Sequence, residues 1–187
     1  MRKTVTFLAS LGVVALAAVL FTGLCSNAAG QSTGASGYHV IKTVPVGGEG
    51  FWDYLAVDSR GRRLYISHGT HVQVMDIDSY TLVGDIPDTQ GVHGIAVAPE
   101  LGRGFTSNGR ANTVTIFDLK TLKTLGSAST GTNPDAIVYD SITKRVLTMN
   151  GRSNNATAIN AADGTVAGTV DLAGRTSPNS FSWMRKT

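Results

Sequence analysis

The sequence predicts an all-β fold, and three observations carry that prediction. Asp76, Asp118 and Asn160 close the alternating segments VQVMD, VTIFD and ATAIN, and they recur at intervals of 42 residues. Within each unit the apolar residues alternate with period two, as in Thr113-Val114-Thr115-Ile116. That is the period of a half-buried strand, whereas a helix would place apolar residues at i, i+3 and i+4. Glycine interrupts every segment, 22 in the whole chain, which disfavours long helices. A unit of roughly 40–45 residues carrying about four short strands has the pattern of a β-propeller blade.

Blade one is expected over about Gly50 to Val83, blade two over Gly91 to Leu125 and blade three over Pro134 to Leu172. Each opens on an apolar strand: Leu55-Ala56-Val57-Asp58, then Gly94-Ile95-Ala96-Val97-Ala98, then Ala136-Ile137-Val138-Tyr139-Asp140. The second strands, around Tyr65-Ile66-Ser67, Phe105-Thr106-Ser107 and Leu147-Thr148-Met149, lie 40 and then 42 residues apart. The discrepancy sits in one loop, since His68-Gly69-Thr70-His71 is shorter than Asn108-Gly109-Arg110-Ala111-Asn112-Thr113. A strand-built repeat tolerates an insertion there. Gly102-Arg103-Gly104 and Gly109-Arg110 read as hairpin loops. Asp76, Asp118 and Asn160 end strands at turns, where bonding from side chain to backbone accounts for them.

The residues also carry a resemblance. Arg63-Leu64-Tyr65-Ile66-Ser67, Arg103-Gly104-Phe105-Thr106-Ser107-Asn108 and Arg145-Val146-Leu147-Thr148-Met149-Asn150 resemble degenerate copies of the YVTN repeat. Val114-Thr115-Ile116-Phe117-Asp118 followed by Thr121-Leu122-Lys123 is similar to that family's second half-motif. The resemblance covers Tyr38 to Gly174 and points to the YncE-like group of secreted bacterial propellers. It implies seven four-stranded antiparallel blades around a central channel, of which this chain holds about three, an incomplete ring. By the same analogy Tyr38 to Val44, which alternates and stops at Pro45, is the strand that completes a last blade.

Outside residues 38–174 the composition changes. Arg2 and Lys3 precede an uncharged apolar run from Phe7 to Leu24, and small residues follow at Ser26, Ala28, Ala29 and Gly30. Residues 1–30 are therefore expected to be a secretory signal peptide, cleaved after Ala28 or Gly30, and the protein periplasmic or secreted. The rivals are a membrane anchor and a lipoprotein modified at Cys25, although Leu24 stands where a lipobox wants a small residue. Residues 31–37 form a Ser/Thr/Gly linker. Residues 175–187 break the repeat. One permitted coding string for Pro178 to Thr187, read two bases later, gives EFVFVDEKD, so this tail is expected to be out of frame and the propeller truncated. The partner is then an unknown small ligand or protein, or a downstream-encoded remainder of the propeller.

Removing the signal removes the one cysteine, and with it any disulfide. The 16 basic residues fall to 14 against 13 acidic, a formal charge of +1, and no basic stripe remains to bind nucleic acid. Contact with a membrane is confined to the signal segment or a lipid anchor. No GxSxG, HExxH, phosphate loop or paired-cysteine motif is present, so neither a catalytic residue nor a cofactor is assigned.

One set of residues could carry ligand chemistry. Asp53, His93 and Asp135 stand at equivalent places, 40 and 42 residues apart, just before each innermost strand. In a propeller that place lies near the channel mouth, and carboxylates with an imidazole could bind a cation or a polar ligand there. The alternative, favoured on the residues alone, is that each caps its strand by bonding exposed amides. His68 and His71 read as a solvated loop and His39 as a surface residue. The function expected is a binding or scaffolding module. The alternatives are a fragment of a periplasmic propeller oxidoreductase related to amine dehydrogenase or nitrous oxide reductase, and a non-functional remnant.

Overall fold

The computed structural model describes residues 37–172. The expected signal peptide with Cys25, all of the linker but Gly37, and the 175–187 tail lie outside the described residues. Within residues 44–172 the three repeats become three four-stranded antiparallel sheets, each folded back and forth in chain order. Blade one comprises β1 (Trp52–Asp58), β2 (Arg63–His68), β3 (His71–Asp76) and β4 (Thr81–Ile86). Blade two comprises β5 (Val92–Ala98), β6 (Arg103–Asn108), β7 (Thr113–Asp118) and β8 (Thr124–Ser129). Blade three comprises β9 (Pro134–Asp140), β10 (Arg145–Asn150), β11 (Asn155–Asn160) and β12 (Val166–Asp171). Among the described residues the one helical turn is Pro99–Leu101, and no helix is long and apolar enough to cross a membrane.

Local chemistry sets the turns. Asp76 Oδ1 accepts from the amides of Asp78 and Ser79, and Asp118 Oδ1 from those of Lys120 and Thr121. These amides, with the hydroxyls of Ser79 and Thr121, hold both carboxyls below the usual range. Asn160 departs from the pattern: its Nδ2 donates to Thr165 Oγ1, and Asp163 accepts from the Thr165 amide.

Three expectations need correction. The outer strands run on to Ile86 and Ser129, past Val83 and Leu125. Arg103 and Gly104 open β6 and are not part of a hairpin loop, because the Phe117 ring covers Gly104 and a Cβ there would run into it. Tyr38 to Val44 forms no strand. Alternation makes a segment suited to a sheet, but a strand exists only where a ladder partner takes its amides and carbonyls.

The blades pack face to face in sequence order, and β5 lies between β1 and β9. Tyr65, Val74 and Ile86 of blade one meet Val92, Ile95 and Phe117 of blade two. Phe105, Val114 and Ile116 of blade two meet Val146, Ile159 and Ala161 of blade three. Leu55 stands in blade one where Ile95 stands in blade two. Ile95 is 8% exposed, yet Leu55 is 65% exposed, because no blade within residues 44–172 covers that face. Inside blade two a polar chain crosses the sheet: Thr106 Oγ1 donates to Asn108 Oδ1 at 2.8 Å, and Asn108 Nδ2 donates to Thr115 Oγ1 at 2.8 Å. Thr148, Asn150 and Thr157 repeat the chain in blade three.

A charged clasp joins blades two and three at the surface. Glu100 Oε1 accepts from Lys144 Nζ at 2.8 Å and from Tyr139 Oη at 2.7 Å. The lysine first, then the tyrosine, holds the Glu100 carboxyl at about 2, against an ordinary 4.5. A depressed carboxyl stabilises the fold above its unfolded pKa and loses that contribution as pH falls through the folded one. Glu100→Gln is thus expected to be less stable than the wild type at pH 7, with the gap closing between pH 4.5 and 2. Because the clasp is exposed, salt should shrink the gap as well. Denaturant midpoints at several pH values check this, and a gap that does not change with pH would remove the clasp from the account.

Candidate functional site

Each blade contributes one ionisable residue from the second position of its innermost strand: Asp53 on β1, His93 on β5 and Asp135 on β9. The strands are irregular at the same place in all three blades. The pairing shifts between Trp52 and Leu55, between Val92 and Ile95, and in blade three between Thr148 and Asn150, opposite Pro134 to Ile137. Such a bulge bends the strand and re-aims the neighbouring side chain. A serine on the second strand takes up the freed amide: Ser67 Oγ accepts from Tyr54 N at 2.7 Å and Ser107 Oγ from Gly94 N at 2.9 Å. Ser107 Oγ also donates to the Asp135 carbonyl at 2.5 Å, which ties the blade-two bulge to the backbone of the next blade.

The result is convergence. One ligand atom from each of Asp53, His93 and Asp135 lies within 4.8 Å of the other two. Asp53 Oδ2 accepts from His93 Nδ1 at 2.6 Å, with the side chains 29% and 22% exposed. The capping expected of Asp53 and His93 is therefore replaced by a bond between the two side chains. Side by side, an imidazole nitrogen and a carboxylate oxygen are donor types that hold divalent cations, and a cation seated there would take the place of the proton between them. The other ring nitrogen, Nε2, faces Gly109, where an added Cβ would lie 2.6 Å away.

Beside His93 opens a cavity of about 400 Å³, lined also by Phe51, Arg110, Asn133 and Arg152. A volume of that order accommodates a small molecule. A second hollow of about 400 Å³ lies among Asp58, Arg63 and Asp118. Its polar groups are committed to structure, because Asp58 accepts from the amides of Arg60 and Gly61 and Arg63 donates to the Leu119 carbonyl.

The other histidines fall elsewhere. His39 is exposed, as expected. His68 and His71 do not form a solvated loop: they end β2 and open β3, paired across a turn of only Gly69 and Thr70. His68 is 4% exposed, stacks on Trp52 with ring centroids 4.4 Å apart, and bonds through Nε2 to the Glu49 carbonyl at 2.9 Å. Its Nδ1 lies 3.2 Å from His71 Nε2. With Nε2–H given to a carbonyl, Nδ1 accepts, so this pair fastens blade one where Asn108 and Asn150 fasten the others. The serines and arginines of the site are legible only in retrospect, as residues recurring at the repeat interval.

No family model matches the chain, and no curated protein matches it. Solved structures do. The chain is similar to Kuenenia stuttgartiensis hydrazine synthase, with a TM-score of 0.60 and 17% identity over 72% of this chain and 38% of that one. It is similar to the WD40 repeats of RRP9, with a TM-score of 0.59 and 14% identity over 70% of this chain and 41% of that one. U3-55K gives a TM-score of 0.59 and 14% identity over 70% of this chain and 42% of that one. At these identities the likeness shows the fold alone, an all-β fold of propeller blades. The chain spans about two fifths of the length of the structures it matches.

Proposed function

We propose that the chain is the ligand-binding portion of an exported propeller of the YVTN-repeat, YncE-like kind. It holds a small polar ligand at the end of its inner strands, through a divalent cation seated by Asp53, His93 and Asp135. The observation that carries this reading is the convergence of three ionisable side chains, one per blade, within 4.8 Å beside a cavity of about 400 Å³. Two carboxylates and an imidazole offer oxygen and nitrogen lone pairs that suit Mn²⁺ or Zn²⁺. The sequence of residues 1–30 supports export.

Equilibrium dialysis against Mn²⁺ and Zn²⁺ tests it. The wild type is expected to bind one equivalent, and His93→Ala to bind at least about tenfold more weakly with its melting curve unchanged. Gly109→Ala gives a second test. It keeps all three side chains but places a methyl 2.6 Å from His93 Nε2, so it too should lose affinity. Undiminished metal binding in both variants would sink the reading.

A further inference from the structure

The cavity beside His93 has a second chemical character. Arg110 and Arg152 line it together. They are 42 residues apart, each following the glycine that opens the loop between the second and third strands, in blades two and three. Blade one has Thr70 at that place and contributes no third cation.

Both loops are fixed to the backbone of neighbouring segments. Gly109 N donates to the Gly91 carbonyl at 2.8 Å, and Gly151 N to the Asn133 carbonyl at 2.8 Å, while Arg152 N donates to the Thr132 carbonyl at 3.1 Å. Gly91 sits at φ +68°, and a Cβ there would lie 2.7 Å from the Arg110 amide and Cβ, so the two backbones touch. Asn112 Oδ1 accepts from Asn133 N at 2.8 Å and locks the same corner. The two arginine stems therefore start from defined points on the cavity wall.

Their head groups are uncommitted. Arg62 is paired with Asp78, but among the described residues neither Arg110 nor Arg152 has a side-chain hydrogen bond or an ion pair. Two unpaired arginines among the residues lining one small cavity suit a planar or tetrahedral oxyanion, which guanidinium binds through paired N–H donors. The carboxylates of Asp53 and Asp135 would repel such an anion unless a cation lay between them, and the cation site just described supplies one.

We propose that Arg110 and Arg152 hold the oxyanion group, carboxylate or phosphate, of a small ligand whose other contact is the cation at Asp53, His93 and Asp135. The proposal rests on the cation reading for its second contact and on the arginine pair for its first.

Calorimetric titration of the purified full chain tests the two contacts separately, with inorganic phosphate and with malonate as probes, each with and without Mn²⁺. The wild type should bind at least one probe, more tightly when Mn²⁺ is present, and the probe that binds identifies the kind of oxyanion. The paired change Arg110→Gln with Arg152→Gln should weaken that binding at least tenfold and leave the affinity for Mn²⁺ alone unchanged. The corresponding pair of lysines should retain part of it. If neither probe binds, or if the glutamine pair binds as the wild type does, the proposal is overturned. If the arginines prove necessary but Mn²⁺ has no effect on the wild type or on His93→Ala, the oxyanion contact stands and the cation reading falls.

Discussion

Phe117→Ala is expected to remove about 3–5 kcal/mol of folding stability, the range for deleting a large aromatic side chain from a packed core. Phe117 is fully buried on β7, covers Gly104, and tilts against Tyr65 of blade one with ring centroids 5.7 Å apart. The ring thus fills space within its own sheet and at the contact between two sheets. Small domains are stable by only about 5–15 kcal/mol, so the variant should unfold at much lower denaturant. Gly104 cannot close the gap, since it has no side chain to rotate into it. A loss under about 1 kcal/mol in urea unfolding would show that Val92 and Ile95 repack over the void, and that the ring does not wedge the blades.

Asn108→Ala should cost about 1–3 kcal/mol, chiefly by stranding hydroxyl groups. Asn108 is 1% exposed, and its amide accepts from Thr106 and donates to Thr113 and Thr115. Alanine would leave buried hydroxyls on two neighbouring strands without that partner. Asn150→Ala should behave alike, because Thr148, Asn155 and Thr157 surround it in the same way. Comparing each with a variant that also changes the two central threonines to valine separates the two effects. Restored stability in the triple variant would identify unsatisfied polar groups as the cause, and an undiminished loss would point to packing.

The fold was legible because the repeat reports the same physical demand three times. A strand packed on one face must alternate, and the spacing of Asp76, Asp118 and Asn160 fixed where each alternation ends. Tyr38 to Val44 misled because alternation is a property of the segment, while strand pairing belongs to the segment and a neighbour. The equivalence of Asp53, His93 and Asp135 could also be read in advance, but their approach could not. It depends on a bulge held by Ser67 and Ser107, and such serines look like any others in a strand. His68 was misread for a related reason. A histidine beside glycine and threonine has the composition of a loop, and only the stacked Trp52 and the Glu49 carbonyl make the position an interior one.

The candidate site draws one side chain from each blade, and each blade packs chiefly against its neighbour in sequence. A guest that grips Asp53, His93 and Asp135 together must find all three sheets stacked, so peeling any one of them away also releases the guest. Its affinity is then thermodynamically linked to the cohesion of the stack, with a saturating guest at a hundredfold excess over its dissociation constant adding about 2.7 kcal/mol to the assembled state. Besides its share of the contact with blade two, blade three has a cluster of its own, Ala136, Met149, Ala156 and Leu172, the smallest of the three apolar clusters among the described residues. Its share of the grip is Asp135, whose carbonyl Ser107 already holds from blade two. Occupancy would therefore slow amide exchange most in the sheet farthest along the chain, and the protein would register its guest as rigidity.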